Sequence, residues 1–322
     1  LTFFGCSLKT FSRNSTCFRG AFTVAKQTVA VSGASGLVGT RLVSVLREAG
    51  HTVVPISRRS SESNAILWDP ARGFLNPERL SSVDAIVHLA GENIAGARWN
   101  SAVKKRIRDS RVLGTKSIVD SLRFLEKRPA TFVCASAIGF YGNRGDEVLD
   151  ETSPSGTGFL ADVCRDWEQA ALAAKDLGMR VVCGRIGVVL SGKGGALQKM
   201  LLPFKMGAGG IVGNGRQYWS WIGLTDLARA LAFCVENPGL TGPVNLVSPH
   251  TVTNFDFTKT LGAVLRRPTL FPLPAFMARI VLGEMADHLL LSSSRVTPAV
   301  LRGAGFSFTE ADLQTCLRNE LS

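Results

Sequence analysis

Thr28-Val29-Ala30-Val31-Ser32-Gly33-Ala34-Ser35-Gly36-Leu37-Val38-Gly39 is the stretch whose reading decides the fold. Thr28 to Ser32 is short, β-branched and apolar, which reads as a buried strand. Leu37 to Ala49 then repeats apolar residues at helical spacing and stops at Gly50, the glycine that commonly ends a helix. Between them lies Gly33-x-x-Gly36-x-x-Gly39. Gly33 allows a tight turn, Gly36 lets the backbone approach a pyrophosphate, and Gly39 permits close packing of helix on strand. The first helical N–H groups and the helix dipole then face an anion. Strand before and helix after predict a dinucleotide site, with Gly33, Ser35, Gly36, Leu37 and Val38 against the cofactor.

Outward from that turn, strands and helices alternate. Thr52 to Ser57 and Val83 to Leu89 read as strands, joined by a connection that contains Ile66-Leu67-Trp68. A helix pattern fills Ser101 to Leu125. Thr131 to Ala135 is a strand, Phe159 to Lys175 a helix, and Arg180 to Arg185 a strand. Strands this uniformly apolar belong to a parallel sheet covered on both faces. The expectation is α/β: a doubly wound parallel sheet, the Rossmann arrangement, over residues 28–185. Beyond Leu190 glycines cluster and the texture changes, so residues 186–272 are expected to form the substrate side of a cleft.

The end of the second strand sets cofactor choice. An NAD site usually places an acid there for the ribose 2′-hydroxyl. This chain has Ser57-Arg58-Arg59 instead, and a guanidinium pairs with the 2′-phosphate that an acid would repel. NADP(H) is therefore the expected cofactor, with Arg58 as the selective residue and Arg59 assisting.

Composition narrows the rest. With 322 residues and 45% apolar content the chain can bury a large core. Four of its net +12 charges (Lys9, Arg13, Arg19, Lys26) fall in residues 1–27, which hold no acid and many Ser and Thr. That is the composition of an organelle transit peptide, incomplete here because the chain opens at Leu1. It fits plastid and mitochondrion equally. The basic run Lys104 to Arg108 lacks interleaved aromatics, so a solvated helix face is expected rather than nucleic-acid binding. Scattered cysteines without a C-x-x-C pair or a His cluster predict neither zinc nor disulfides. Ala275 to Leu291 is broken by Arg279, Glu284, Asp287 and His288, so no transmembrane span is expected, while peripheral membrane association stays open.

With these residues in hand, the chain resembles the extended short-chain dehydrogenase/reductases, whose glycine turn has this spacing. It is similar in particular to atypical "epimerase family" proteins carrying a C-terminal module of unknown function, here residues 273–322. The marks are His88-Leu89-Ala90-Gly91-Glu92-Asn93, Ser110-Arg111, Trp167-Glu168, Gly194-Gly195-Ala196, Thr225-Asp226-Leu227 and Gly283-Glu284. Ser153-Pro154-Ser155-Gly156 and Val163-Cys164-Arg165-Asp166 look most like the plastid, giant-chloroplast-like branch. That branch implies a chloroplast location, at the stroma or the stromal side of the inner envelope, with protein partners in organelle division. The resemblance also implies that His88, Leu89, Ala90, Gly91 and Glu92 line the cofactor.

The resemblance exposes a gap as well. Ordinary members use an Asn, a Ser or Thr, and a Tyr with a Lys four residues later, the Lys lowering the Tyr pKa for proton transfer. Here Arg111 stands at the Asn position and Ala137 at the hydroxyl position. Phe159 or Leu160 stands for the Tyr, and Val163 or Cys164 for the Lys. The catalytic group is therefore unknown, with Ser136, Tyr141 and Asp162 as candidate proton donors. Arg111 faces either the cofactor or solvent. Arg185, at the end of an apolar strand, needs a carboxylate from either ligand or protein. Trp219 and Trp221 are candidates for an aromatic substrate wall, with core packing as the alternative. Two readings follow: an NADP-dependent oxidoreductase or epimerase with a replaced proton donor, acting on an unidentified small molecule, or a weakly active or inactive NADP(H)-sensing regulator.

Overall fold

The computed structural model describes residues 25–58, 64–70, 72–76 and 78–322. In chain order the strands are β1 (Thr28–Ser32), β2 (Thr52–Ser57), β3 (Ile66–Asp69), β4 (Phe74–Leu75), β5 (Ala85–His88), β6 (Thr131–Ala137), β7 (Val148–Leu149), β8 (Arg180–Ile186), β9 (Val188–Leu190), β10 (Tyr218–Trp219), β11 (Trp221–Gly223), β12 (Gly242–Leu246), β13 (Val252–Thr253) and β14 (Arg295–Val296). The helices are α1 (Leu37–Glu48), α2 (Ser101–Leu122), α3 (Phe159–Leu172), α4 (Gly195–Lys205), α5 (Leu224–Glu236), α6 (Asn254–Leu265), α7 (Ala275–Leu282), α8 (Met285–Leu289), α9 (Ala299–Gly303) and α10 (Leu313–Leu321).

Eight strands form one sheet in the order β12-β8-β6-β5-β1-β2-β3-β4. Every pairing is parallel except β3 with β4. Alternation sorts β1 between two cores. Val29 and Val31 meet Leu42, Leu46, Leu227 and Leu231 of α1 and α5, while Ala30 joins Ile118, Leu122 and Trp167 of α2 and α3 on the opposite face. The sheet is therefore the doubly wound α/β arrangement. Chain order reverses at β1, with β2 on one side and β5 on the other, so the switch point where such sheets bind ligands lies at their C-terminal ends.

Two strands differ from the sequence reading. Ile66-Leu67-Trp68, expected in a connection, is the core of β3. The sheet also does not end at residue 185: β12 closes it beside β8, and α5 packs on α1. Small pairings β9–β11, β10–β13 and β7–β14 build the region above the strand ends. The C-terminal segment is woven into that region. Ser294 Oγ donates to the Gly142 carbonyl at 2.7 Å, and the Thr297 N–H to the Leu149 carbonyl at 2.8 Å.

Candidate cofactor site

The glycine turn has no room for side chains. Gly33 sits at φ +71°, and a Cβ there would lie 3.1 Å from the Ala90 nitrogen. A Cβ on Gly39 would overlap the Gly33 carbonyl oxygen at 2.1 Å. Gly36 caps α1 through backbone alone; no side chain accepts from the first turn, which carries no acid. The N-terminal N–H groups and the positive end of the helix dipole thus remain for an anion. Ser35 and Gly36 are exposed, Leu37 and Val38 half-buried. The Leu37 methyls lie 3.4 Å from the Cβ positions of Gly194 and Gly195, so the loop before α4 roofs the turn.

Register brings the end of β2 beside the turn. Ser32 pairs with Ile56, so Ser57 and Arg58 emerge beside Gly33 at the same sheet edge, with Arg58 exposed. Arg59 lies outside the described residues.

On the other side of β1, Ser32 Oγ accepts the N–H groups of Leu89 (3.1 Å) and Ala90 (3.3 Å) and lies 2.6 Å from His88 Nδ1. With two donors already on its oxygen, the hydroxyl proton goes to Nδ1 and the ring hydrogen to Nε2. Burial, reinforced by the Arg111 cation, drops the His88 pKa to about 3, so the ring is neutral. His88 is completely buried beneath the loop and edge-on to Trp68; its side chain supports Leu89 and Ala90 from below and does not line the crevice. Gly91 and Glu92 are exposed above it. Arg111, half-buried on α2, brings its guanidinium carbon within 3.4 Å of the Gly91 Cβ position and over the Trp167 ring at 5.2 Å.

Two of the residues that sequence left open for the relay share a face of α3. Leu160 Cβ and Cys164 Sγ both face Gly139, 3.2 and 3.8 Å from its Cβ position, one helical turn apart on α3. Phe159 instead packs on Trp99, with ring centroids 5.2 Å apart. Burial, and then the Glu168 carboxylate, push the Cys164 thiol up to about 12, so it stays protonated and unreactive.

The three candidate proton donors are engaged elsewhere. Buried Ser136 donates to Glu168 Oε1 at 2.7 Å. Arg185 grips both Glu168 oxygens at 2.9 Å, and its Nη1 donates to the Tyr141 hydroxyl at 2.9 Å. Tyr141 in turn donates to Asn245 Oδ1 at 2.7 Å, while the Asn245 N–H reaches Glu151 at 2.9 Å. Burial raises the Tyr141 pKa despite the Arg185 charge. Asp162 lies in the first turn of α3 and pairs with exposed Arg165 at 2.6 Å.

The carboxylate that Arg185 requires is therefore Glu168, from the protein itself. Burial disfavours the Arg185 charge, but Glu168 more than offsets that and raises its pKa. Trp219 and Trp221 form no wall: both are buried in a core with Leu190, Leu197, Phe204 and Phe257. Sequence reasoning missed Glu168, although an acid on the buried stripe of α3 was the available signal. Along the basic run, Lys104 pairs with Glu284, Lys105 with Asp109 and Arg108 with Asp166, which neutralises much of that face. Among the described residues no His/Cys/Asp/Glu group could hold a metal, and no helix is long and apolar enough to cross a membrane.

Comparison with known proteins agrees with this geometry. The chain is 46% identical over 286 residues to an epimerase family protein of Mycobacterium bovis, covering 88% of this chain and 94% of the relative. It is 38% identical over 305 residues to the Arabidopsis thaliana "epimerase family protein SDR39U1 homolog, chloroplastic", covering 91% and 86%. The crystal structure of human SDR39U1 (isoform 2) with NADPH superimposes with a TM-score of 0.82 at 32% identity, covering 91% and 98%. Residues 273–320 match a domain of unknown function, DUF1731. Residues 29–246 match the NAD dependent epimerase/dehydratase family, and the chain belongs to it.

Proposed function

We propose that this protein binds NADP(H) across the β1 switch point and that it lacks the side-chain proton relay of ordinary epimerases. One observation carries the reading: the glycine turn is vacant of side chains, while Leu160 and Cys164, which the resemblance puts among the candidates for the Tyr and Lys positions, face Gly139. Gly33, Ser35, Gly36, Leu37 and Val38 would hold the pyrophosphate, and Ser57 and Arg58 the adenosine 2′-phosphate. When bound, the cofactor supplies a hydride. Leu89 to Glu92 would orient it, and Leu160 would exclude water on the α3 side. No side chain around Gly139 passes a proton, because Ser136 and Tyr141 are committed to Glu168, Arg185 and Asn245.

This favours a protein that senses or carries NADP(H) over one that interconverts sugars. The chloroplastic Arabidopsis relative supports a plastid setting. Binding is tested by titrating NADPH fluorescence. Arg58→Glu is expected to weaken NADPH by about a hundredfold, the scale of a lost bidentate ion pair plus repulsion, and to leave NADH nearly unchanged. Equal losses for both cofactors would remove the selectivity assignment. The sensor reading is tested by NADPH oxidation over a carbonyl and nucleotide-sugar panel. Turnover abolished by Tyr141→Phe or Ser136→Ala would overturn it.

A further inference from the structure

Thirteen large apolar side chains are exposed among the described residues, and eight of them share one face. α7 presents Phe276, Met277, Ile280 and Val281 there and buries only Ala278. Leu270 and Phe271 precede it, while Leu202 and Met206 stand one turn apart at the end of α4. These segments are held as one body. The Gly210 backbone lies against the Phe271 carbonyl, and Pro268 stands 3.9 Å from the Gly207 Cβ position. The Leu273 N–H then donates to the Ile211 carbonyl at 2.8 Å, just before α7 begins. Single exposed apolar groups are ordinary on a surface, but a continuous set of eight marks a face that something covers.

Size and charge say what covers it. Ile280 and Val281 are 67% and 68% exposed, and all the others except Met277 exceed 60%. At roughly 100 Å² of exposed apolar surface per side chain, the face offers about 800 Å², one partner's share of a stable interface. Its two ends differ in charge. Exposed Lys205, Arg266 and Arg267 lie at the end that precedes α7, and no acid occurs from residue 257 to 283. At the far end Glu284 pairs with Lys104, and Asp287 meets Arg279 through Oδ1. Such a face complements itself when turned end for end, because a two-fold rotation carries Asp287 of one copy toward Arg267 of the other and keeps the basic ends apart. A bilayer fits less well. Helices that lie in a membrane carry free basic residues along their polar side, whereas α7 runs eight residues, has Arg279 already paired, and is followed by two acids.

We propose that this face joins two copies of the chain, their α7 helices crossing antiparallel about a two-fold axis with Phe276, Met277, Ile280 and Val281 at the centre. Sedimentation equilibrium on the full chain gives the dimer dissociation constant of the parent, Ile280→Glu, Phe276→Ser, Arg267→Glu and Leu113→Glu proteins. Melting temperatures show which variants remain folded, and Phe276→Ser serves as a second disruption of the centre. Leu113, an exposed leucine on α2 away from this face, is the control.

Ile280→Glu is expected to weaken the dimer by about a hundredfold or more, since each copy then buries an unpaired carboxylate. Arg267→Glu is expected to weaken it severalfold, and Leu113→Glu to leave it unchanged. A parent that stays monomeric at high micromolar concentration would overturn the proposal, and binding of that monomer to phosphatidylglycerol vesicles, lost in Ile280→Glu, would give the face to a bilayer instead. Dissociation by Leu113→Glu with none by Ile280→Glu or Phe276→Ser would put the interface on α2 and overturn it as well. A tighter dimer in Arg267→Glu would mean that the basic ends meet, which rejects the antiparallel arrangement.

Discussion

The glycine turn above β1 and the polar cluster above β6 lie on one sheet edge, yet they treat hydrogen-bonding groups in opposite ways. Around Gly33 to Val38 the helix-terminal N–H groups have no side-chain partner and the first turn of α1 holds no acid. Around Ser136 the groups consume one another: Ser136, Glu168, Arg185, Tyr141, Asn245 and Glu151 form one buried chain. The first region is organised for a ligand and the second for the fold. A family that shares a sheet need not share chemistry, because the same strand ends can turn outward to a substrate or inward to each other.

The contrast can be broken most forcefully at the turn. Gly39→Val places carbon atoms inside the Gly33 carbonyl, so a stability loss of about 3 kcal/mol or more is expected, with loss of NADPH binding. Urea denaturation and fluorescence titration check both. A folded, stable variant would show that the strand and helix are not as tightly apposed as described.

Next comes the buried cluster. Glu168→Ala strands Arg185 without its counter-ion and is expected to cost about 3–5 kcal/mol. The paired replacement Glu168→Leu with Arg185→Met is expected to recover most of that, because it removes both charges together. Chemical denaturation gives the numbers. If Glu168→Ala matches the parent in stability, the cluster is not structural and its residues return as catalytic candidates.

A pH-dependent effect, small within any one pH unit, sharpens the boundary between the regions, at His88. Burial and the Arg111 cation hold its folded pKa near 3 against an ordinary 6.5. Between these values the unfolded chain binds a proton that the folded chain refuses. Stability should therefore decline as pH falls from 6.5 toward 3, by up to about 1.4 kcal/mol per unit, with no contribution from this group above that window. His88→Gln is expected to flatten that slope in denaturation curves collected across the range. An unchanged slope would mean that the ring protonates in place.

Local patterns exposed the ligand-facing region and hid the fold-facing one. Strand, glycines, helix and Arg58 lie within 31 residues and obey short-range rules, so β1, the turn and the end of β2 are legible in the sequence. β3 was not, because four residues are too few for periodicity to speak. β12 was not, because Pro243 and Asn245 interrupt its apolar run. The partners of Arg185 come from Glu168 on a helix and Tyr141 at the end of a short 3-10 turn, brought together only by tertiary packing. Trp219 and Trp221 look alike as exposed recognition residues or core fillers, since aromatic chemistry serves both. Sequence alone left Phe159 and Leu160 equivalent, because telling which one faces Gly139 requires the face of α3 to be known.

One pairing has a temporal meaning. β14 and its neighbours supply the hydrogen bonds that fix residues 142–149, about 150 positions earlier in the chain. A ribosome delivers those loops long before their partners exist, so a nascent chain carries them unpaired through half of its synthesis. A segment made late completes one made early.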